Sequence, residues 1–292
     1  MVENVGVLGA TSPVGSCLLE LLRQCDKKVT AFSRQPIPQV GEPVQWRQLG
    51  LATPDEFIEK VSCWVCIAPI WVLPDYFDLF EASGAKRVVA LSSTSRYTKT
   101  DSSDPAEKAM VDRLVDNEQR LQQWAEARDI EWVILRPTMV YGLAKDKNIT
   151  EIAHFIRRWG FFPILGQGNG LRQPVHAEDV AQACFVATTA STARNRAYEI
   201  SGSEKIPYKE MIKRVFLALK RKPRFVFLPH WCFRIALLGL KLMPRFRHWS
   251  IGMAERMDRD MVFNHDNASS DLQFAPRAFE LGPEDLPQKS TK

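Results

Sequence analysis

Gly9, Ser12 and Gly15 stand three apart in the stretch GATSPVG, directly after the apolar run VGVL. Glycines at this spacing let a strand turn tightly into a helix. The helix start then offers unpaired N–H groups and a positive dipole end to an anion such as a pyrophosphate. Ser12-Pro13 stands where a middle glycine is usual. Serine suits the N-cap and proline the first helical position, so the departure strengthens the helix entry. The Ser12 hydroxyl is then placed to bond a phosphate oxygen. Gly9, Thr11, Ser12, Pro13, Val14 and Gly15 are accordingly read as a dinucleotide cradle.

The next apolar run, KVTAFSR, bears on which dinucleotide. An acid at the end of this strand would bind the ribose 2′-hydroxyl of NAD, and an arginine accommodates the 2′-phosphate of NADP. No Asp or Glu lies between Lys27 and Gly41, whereas Ser33 and Arg34 close the run. The expectation is therefore NADP(H). Ala68 and Pro69 end a later run, WVCIAP, and belong to the same carboxyl-end cleft.

Cys63-x-x-Cys66 has the spacing of a redox or metal pair, but it lies within the apolar run VSCWVCIAPIW. On a strand, positions three apart face opposite sides. No second ligand pair follows, so no metal is expected and the six cysteines read as free, reduced and cytoplasmic.

These groups need elements to position them. Short apolar runs at 5–10, 28–34, 64–69, 87–93 and 131–137 alternate with helical patterns at 14–25 and 105–129. That rhythm predicts a doubly wound α/β sheet of parallel strands, with a smaller substrate-binding lobe at the C-terminal end. Residues 1–165 are assigned to the nucleotide-binding unit, with 175–202 returning to it, and 203–292 to a mostly helical lobe. Helices are expected near 148–159, 177–189 and 208–220, and a late strand at 196–202.

The 292 residues are enough for a large domain with a lobe; 45% are hydrophobic and 25% charged, ordinary for a globular protein. The net charge of +5 comes from 39 basic and 34 acidic side chains, and its nearest approach to a cluster is around residues 213–224. No basic stripe suited to nucleic acid is visible, and none is expected as a partner. The first strand starts almost at Met1, so no secretory leader is expected, and no run approaches the ~20 apolar residues of a membrane span.

Taken together, the stretches GATSPVG, SRQP, ALSSTSRY, LRPTMVYG, GQGNGLRQPVHAEDVAQA and AERMDRDMVFNHDNASSDLQFAPRAF make the chain similar to the short-chain dehydrogenase/reductase superfamily. The resemblance is to its extended or atypical branch, with the NAD-dependent epimerase/dehydratase proteins. It implies a catalytic serine at Ser92 or Ser93, the latter preferred, and a Tyr-x-x-x-Lys pair on the long helix. In relatives that tyrosine exchanges a proton with the substrate oxygen. The stretch KAMVDRLVDNE holds no tyrosine, and Lys108 is its only lysine. Tyr97, four residues past Ser93, is the substitute acid, with Lys99 poorly spaced to assist it and Tyr141 a wall residue. The resemblance further implies that Pro137, Thr138 and Met139 neighbour the nicotinamide, and that His176 and Asp179 cap and open a helix. Glu118 and Arg120 are read as solvated or paired along the helix face.

The segment LPHWCFRIALLGLKLMPRFRHW, 228–249, is apolar nearly all round. It reads either as core or lid packing, which would admit a hydrophobic substrate, or as an interfacial helix in peripheral contact with anionic lipid. The resemblance implies an NADP(H)-binding oxidoreductase acting on a carbonyl or hydroxyl of a small molecule. The alternative is a catalytically inactive protein that holds NADP(H) as a structural or redox-sensing ligand. No oligomeric state follows from the sequence.

Overall fold

The computed structural model of the chain describes residues 4–35, 37, 44–49, 60–100, 102, 104–228 and 256–288. Seven strands form one parallel sheet: β1 (Asn4–Leu8), β2 (Lys28–Ser33), β3 (Val44–Gln48), β4 (Cys63–Cys66), β5 (Arg87–Leu91), β6 (Glu131–Pro137) and β11 (Arg196–Ile200). Their order is β11-β6-β5-β4-β1-β2-β3, so the winding reverses between β1 and β4. Ligands of open α/β sheets bind outside the carboxyl ends of the strands at such a reversal.

Period-two burial explains why the strands read as continuous apolar runs. Val5, Val7, Val65, Val89 and Val133 pack on one face with α1 (Pro13–Gln24) and α6 (Ala177–Ala187). Leu8, Trp64, Cys66, Val88 and Ile134 pack on the other with α2 (Phe77–Ala82) and α4 (Pro105–Glu126). Cys66 thus faces the second layer one residue out of phase with Val65, and burial pushes its thiol well up. Cys17, Cys25, Cys63, Cys66 and Cys184 are free. Among the described residues no group of three or more His, Cys, Asp or Glu is arranged to hold a metal ion.

β3 lies in a stretch the sequence left unassigned, because VQWRQ is polar at alternate positions and sits at the sheet edge. A second core gathers α5 (Ile149–Trp159), β8 (Phe162–Leu165) and α7 (Tyr208–Ala218) with Met257, Phe279 and Leu286. Residues 149–165 therefore contribute to the lobe's core and not to the sheet's. The lobe also carries strand pairing, β8 with β13 (Phe225–Leu228) and β9 (Leu171–Arg172) with β12 (Ile206–Pro207). The remaining elements are α3 (Ser95–Thr98), β7 (Val140–Tyr141), β10 (Val175–His176) and α8 (Asp266–Leu272). No helix among the described residues is long and apolar enough to cross a membrane. Residues 229–249 of the apolar segment, including Cys232, lie outside the described residues.

Candidate functional site

The turn after β1 is closed by sterics. Gly9 has φ +82°, and a Cβ there would meet the Ala68 nitrogen at 2.5 Å. A Cβ on Gly15 would meet the Gly9 oxygen at 2.5 Å, so α1 packs directly against the strand end. Only glycine tolerates both demands. Ser12 adopts extended backbone and N-caps α1: its Oγ accepts from the Gly15 N–H at 3.1 Å and donates to the Gly9 carbonyl at 2.8 Å. In this arrangement the single hydroxyl proton is directed at the Gly9 carbonyl. Pro13 has no N–H and that of Gly15 is taken. Exposed Thr11 and the N–H of Val14 are then the donors this turn can turn towards an anion.

β1 and β2 pair with Leu8 opposite Phe32, which sets Ser33 and Arg34 beside the glycine turn. Arg34 is exposed there, its carbonyl held by Gln48 Nε2 at 3.2 Å, and Ser33 Oγ accepts from the Gln35 N–H. Ala68 follows β4, its N–H bonded to the Leu8 carbonyl at 3.2 Å. Gly9, Ser33, Arg34, Ala68 and Pro69 therefore share one rim.

The strand end after β5 is organised by charge. Ser93 Oγ accepts from the Ser95 N–H at 3.1 Å, and Thr94 N–H donates to the Pro137 carbonyl at 3.2 Å, which ties the ends of β5 and β6 together. Glu118 corrects the surface reading of the long helix: it is 1% exposed, while Arg120 is exposed as expected. Its carboxylate accepts from Ser92 Oγ at 2.5 Å, from Arg136 Nη2 at 2.7 Å and from Arg96. Arg136 also donates to the Tyr97 hydroxyl at 2.8 Å, which donates to Glu199 at 3.1 Å. Tyr97 is 42% exposed, and burial of the rest of its ring raises its pKa even with two arginines beside it. A proton-exchanging tyrosine needs the opposite shift.

Beyond Ser93 opens a cavity of about 350 Å³ between sheet and lobe. Ser93, Ser95, Lys99, Thr138 and Met139 line it from the sheet, and Lys147, Ile152, Arg172, Tyr208, Arg256 and Met261 from the lobe side. Glu107, at the start of α4, accepts from Arg256 at 2.5 and 2.7 Å and from Ser102 Oγ at 2.6 Å, with Lys99 Nζ at 3.4 Å. Burial works against its charge, yet these donors win and hold it down at about 2. Arg172 is buried, spends Nη1 on the carbonyls of Leu171 and Arg259 at 2.8 Å, and lies over the Tyr208 ring. Desolvation lowers its pKa and raises that of Tyr208 to about 12.

Three residues weighed in the sequence serve the scaffold. His176 caps α6, its Nδ1 accepting from the Glu178 N–H at 3.2 Å, which leaves Nε2 to donate to Asp285 at 3.1 Å. Asp179 in that helix's first turn binds Arg277 at 2.9 Å. Tyr141 is buried edge-on against His176 and Phe279, its hydroxyl directed at the Glu280 carbonyl.

A family model, the NAD dependent epimerase/dehydratase family, matches residues 76–201. The structure of MoeE5 in complex with UDP-glucuronic acid and NAD superposes with a TM-score of 0.70 at 21% identity, covering 97% of this chain and 95% of that one. UDP-glucuronic acid 4-epimerase from Bacillus cereus in complex with NAD gives a TM-score of 0.71 at 14% identity, with the same coverage. These likenesses show the fold, a doubly wound parallel sheet with flanking helices. A curated relative, NADH dehydrogenase (ubiquinone) 1 alpha subcomplex subunit 9, mitochondrial, from Arabidopsis thaliana, is 29% identical over 100 residues, 34% of this chain. The chain spans only 25% and 37% of the lengths of the curated relatives it matches.

The cavity opens beside the end of β5, and α4 brings no tyrosine to it. Sequence reasoning missed Glu107, Lys147, Arg172 and Arg256 as cavity residues. Arg172 lay in a quoted motif, GQGNGLRQPVH, and could have been flagged as a cation between turn residues. Nothing local announces that Glu107 meets Arg256, 149 positions away.

Proposed function

We propose that this chain is an oxidoreductase that binds NADP(H) and moves hydride at a carbonyl or hydroxyl carbon of a small molecule. Gly9, Thr11, Pro13, Val14 and Gly15, with Ser12 as cap, would hold the pyrophosphate. Ser33 and Arg34 would take the 2′-phosphate, and Ala68, Pro69 and Pro137 would wall the cleft. Ser93 would bind the substrate oxygen. When bound, the nicotinamide supplies the hydride, and the protein supplies geometry and a proton. The observation that carries this reading is the placement of two features at one carboxyl edge of the sheet. The glycine-closed turn follows β1, and a cavity that contains Ser93 follows β5, two strands away. Cations at Lys99, Lys147 and Arg172 among Met139, Ile152 and Met261 suit a substrate with an acidic group on an apolar body. The free cysteines accord with a reducing cytoplasm.

A second reading, a protein that holds NADP(H) without turnover, draws support from the commitment of Tyr97 to Arg136 and Glu199. Calorimetric titration of the cofactor-stripped chain with NADPH and NADH, repeated on Arg34→Ala, tests the shared premise. A charge-assisted contact to the 2′-phosphate contributes roughly 1.5–3 kcal/mol, so the variant should lose about ten- to a hundredfold for NADPH and nothing for NADH. Binding of neither nucleotide overturns both readings. Turnover of a carbonyl substrate with NADPH then separates them.

A further inference from the structure

The cavity lacks a tyrosine in working order, yet hydride transfer to a carbonyl leaves an alkoxide that must be protonated. The groups around the cavity can be sorted by whether they hold a proton they can give up at neutral pH. Glu107 cannot, since its donors keep it ionised down to about 2. Arg172 and Arg256 do not deprotonate in proteins. Tyr208 is pushed up to about 12 by burial, and its ring lies beneath the Arg172 guanidinium. Lys147 is exposed at the rim. Lys99 remains.

Its position is set by the chain. Ser93 Oγ caps the Ser95 N–H, and the Lys99 N–H bonds back to the Ser95 carbonyl at 3.2 Å, one helical turn later. Residues four apart share a helix face. Ser95 and Lys99 accordingly line the same cavity as Ser93. We propose that Lys99 is the group that protonates the substrate oxygen in this site, where superfamily relatives use a tyrosine; this rests on the oxidoreductase reading.

The step balances as a reduction. The carbonyl carbon takes a hydride from a reduced nicotinamide, and the C=O π pair moves to oxygen. An O–H bond forms there as one Lys99 N–H bond breaks. The products are the alcohol, the oxidised nicotinamide and a neutral amine that regains its proton from water. The charges facing Nζ suit this cycle. Glu107 at 3.4 Å orients the ammonium, Asp104 lies on the same helix start, Arg256 opposes, and Arg172, Lys147 and Glu151 stand across the cavity. Burial, with help from Arg256, outweighs the two carboxylates and makes the ammonium more acidic than a free lysine's. The Ser93 oxygen accepts from the Ser95 N–H, which leaves its hydroxyl to donate a hydrogen bond to the substrate oxygen without giving up its proton.

Two measurements on the full chain decide the matter. Competitive trace acetylation across pH, read by peptide mass spectrometry without nucleotide, should give Lys99 a lower titration midpoint than exposed Lys86. NADPH-dependent reduction of 4-nitrobenzaldehyde should fall by about a hundredfold or more in Lys99→Arg and in Lys99→Met. Lys99→Arg keeps a cation beside Glu107, so its melting temperature and NADPH affinity should match those of the parent chain. The proposal is overturned if Lys99 labels in step with Lys86, if Lys99→Arg reduces the aldehyde at the parent rate, or if the parent does not reduce it. Loss of nucleotide binding altogether would overturn the oxidoreductase reading as well, which distinguishes that failure from one confined to Lys99.

Discussion

Two strand ends border the cleft and are built in opposite ways. After β1 the chain turns on backbone geometry: Gly9 and Gly15 leave no room for side chains, and the Ser12 side chain is folded back onto Gly9 and Gly15. After β5 the chain is held by side chains from distant positions, with Ser92, Arg96 and Arg136 converging on buried Glu118. The first end needs only local sequence and presents a surface poor in titratable groups. The second depends on tertiary pairing and keeps two networks apart. One immobilises Tyr97 outside the cavity, and the other sets Lys99 against Glu107 inside it. A nucleotide needs the first kind of surface, and proton transfer needs the second.

Removing the centre of the charged end should have the largest effect. Glu118→Ala strands Arg96 and Arg136, whose side chains are mostly buried, without their carboxylate. Breaking a buried ion pair from one side costs about 3–5 kcal/mol. Urea unfolding should show a loss of that size, and Glu118→Gln, which can still accept two hydrogen bonds, should lose less. A loss below about 1 kcal/mol would mean that the strand end does not depend on this carboxylate.

The same contrast decides how much could be read in advance. Strands β1, β2, β4, β5 and β6 and helices α1 and α4 were legible because burial on both faces of the sheet writes continuous apolar runs, and Ser12-Pro13 announces a helix start. Edge strand β3 was not, since alternate residues of VQWRQ face solvent. Glu118 was misread because the periodicity of a helix places a residue on a face but does not say what covers that face. Its partners Arg96 and Arg136 lie 22 and 18 positions away. Lys99 was judged by its spacing to Tyr97, although the partner that matters is Glu107, eight positions on and across a loop.

A smaller effect separates the roles at the first strand end. Ser12→Ala removes the N-cap of α1 and should cost about 1 kcal/mol in unfolding free energy. Because the hydroxyl proton is spent on the Gly9 carbonyl, calorimetry should find NADPH affinity within about twofold of the parent, a small change on the scale of RT. A tenfold loss would show that the serine releases Gly9 and turns to the phosphate, and the two strand ends would then both be side-chain sites.

A further effect, which links stability to the Glu107–Lys99 pair, concerns Glu107. Burial opposes its charge, but Arg256, Ser102 and Lys99 bring its pKa from the ordinary 4.5 down to about 2. A carboxylate depressed in this way contributes stability that is fully present above about pH 4.5 and is lost as the pH falls towards about 2. The urea midpoints of the parent and Glu107→Gln should therefore differ most above about pH 5 and converge as the solution is acidified, since all other carboxylates titrate in both proteins. The variant also removes a charge that raises the Lys99 pKa and leaves Arg256, which lowers it. In Glu107→Gln, acetylation of Lys99 should move to still lower pH while that of Lys86 stays put. A constant stability difference across pH together with an unmoved Lys99 would show that the two side chains do not share a field, and the charged strand end would then be scaffold alone.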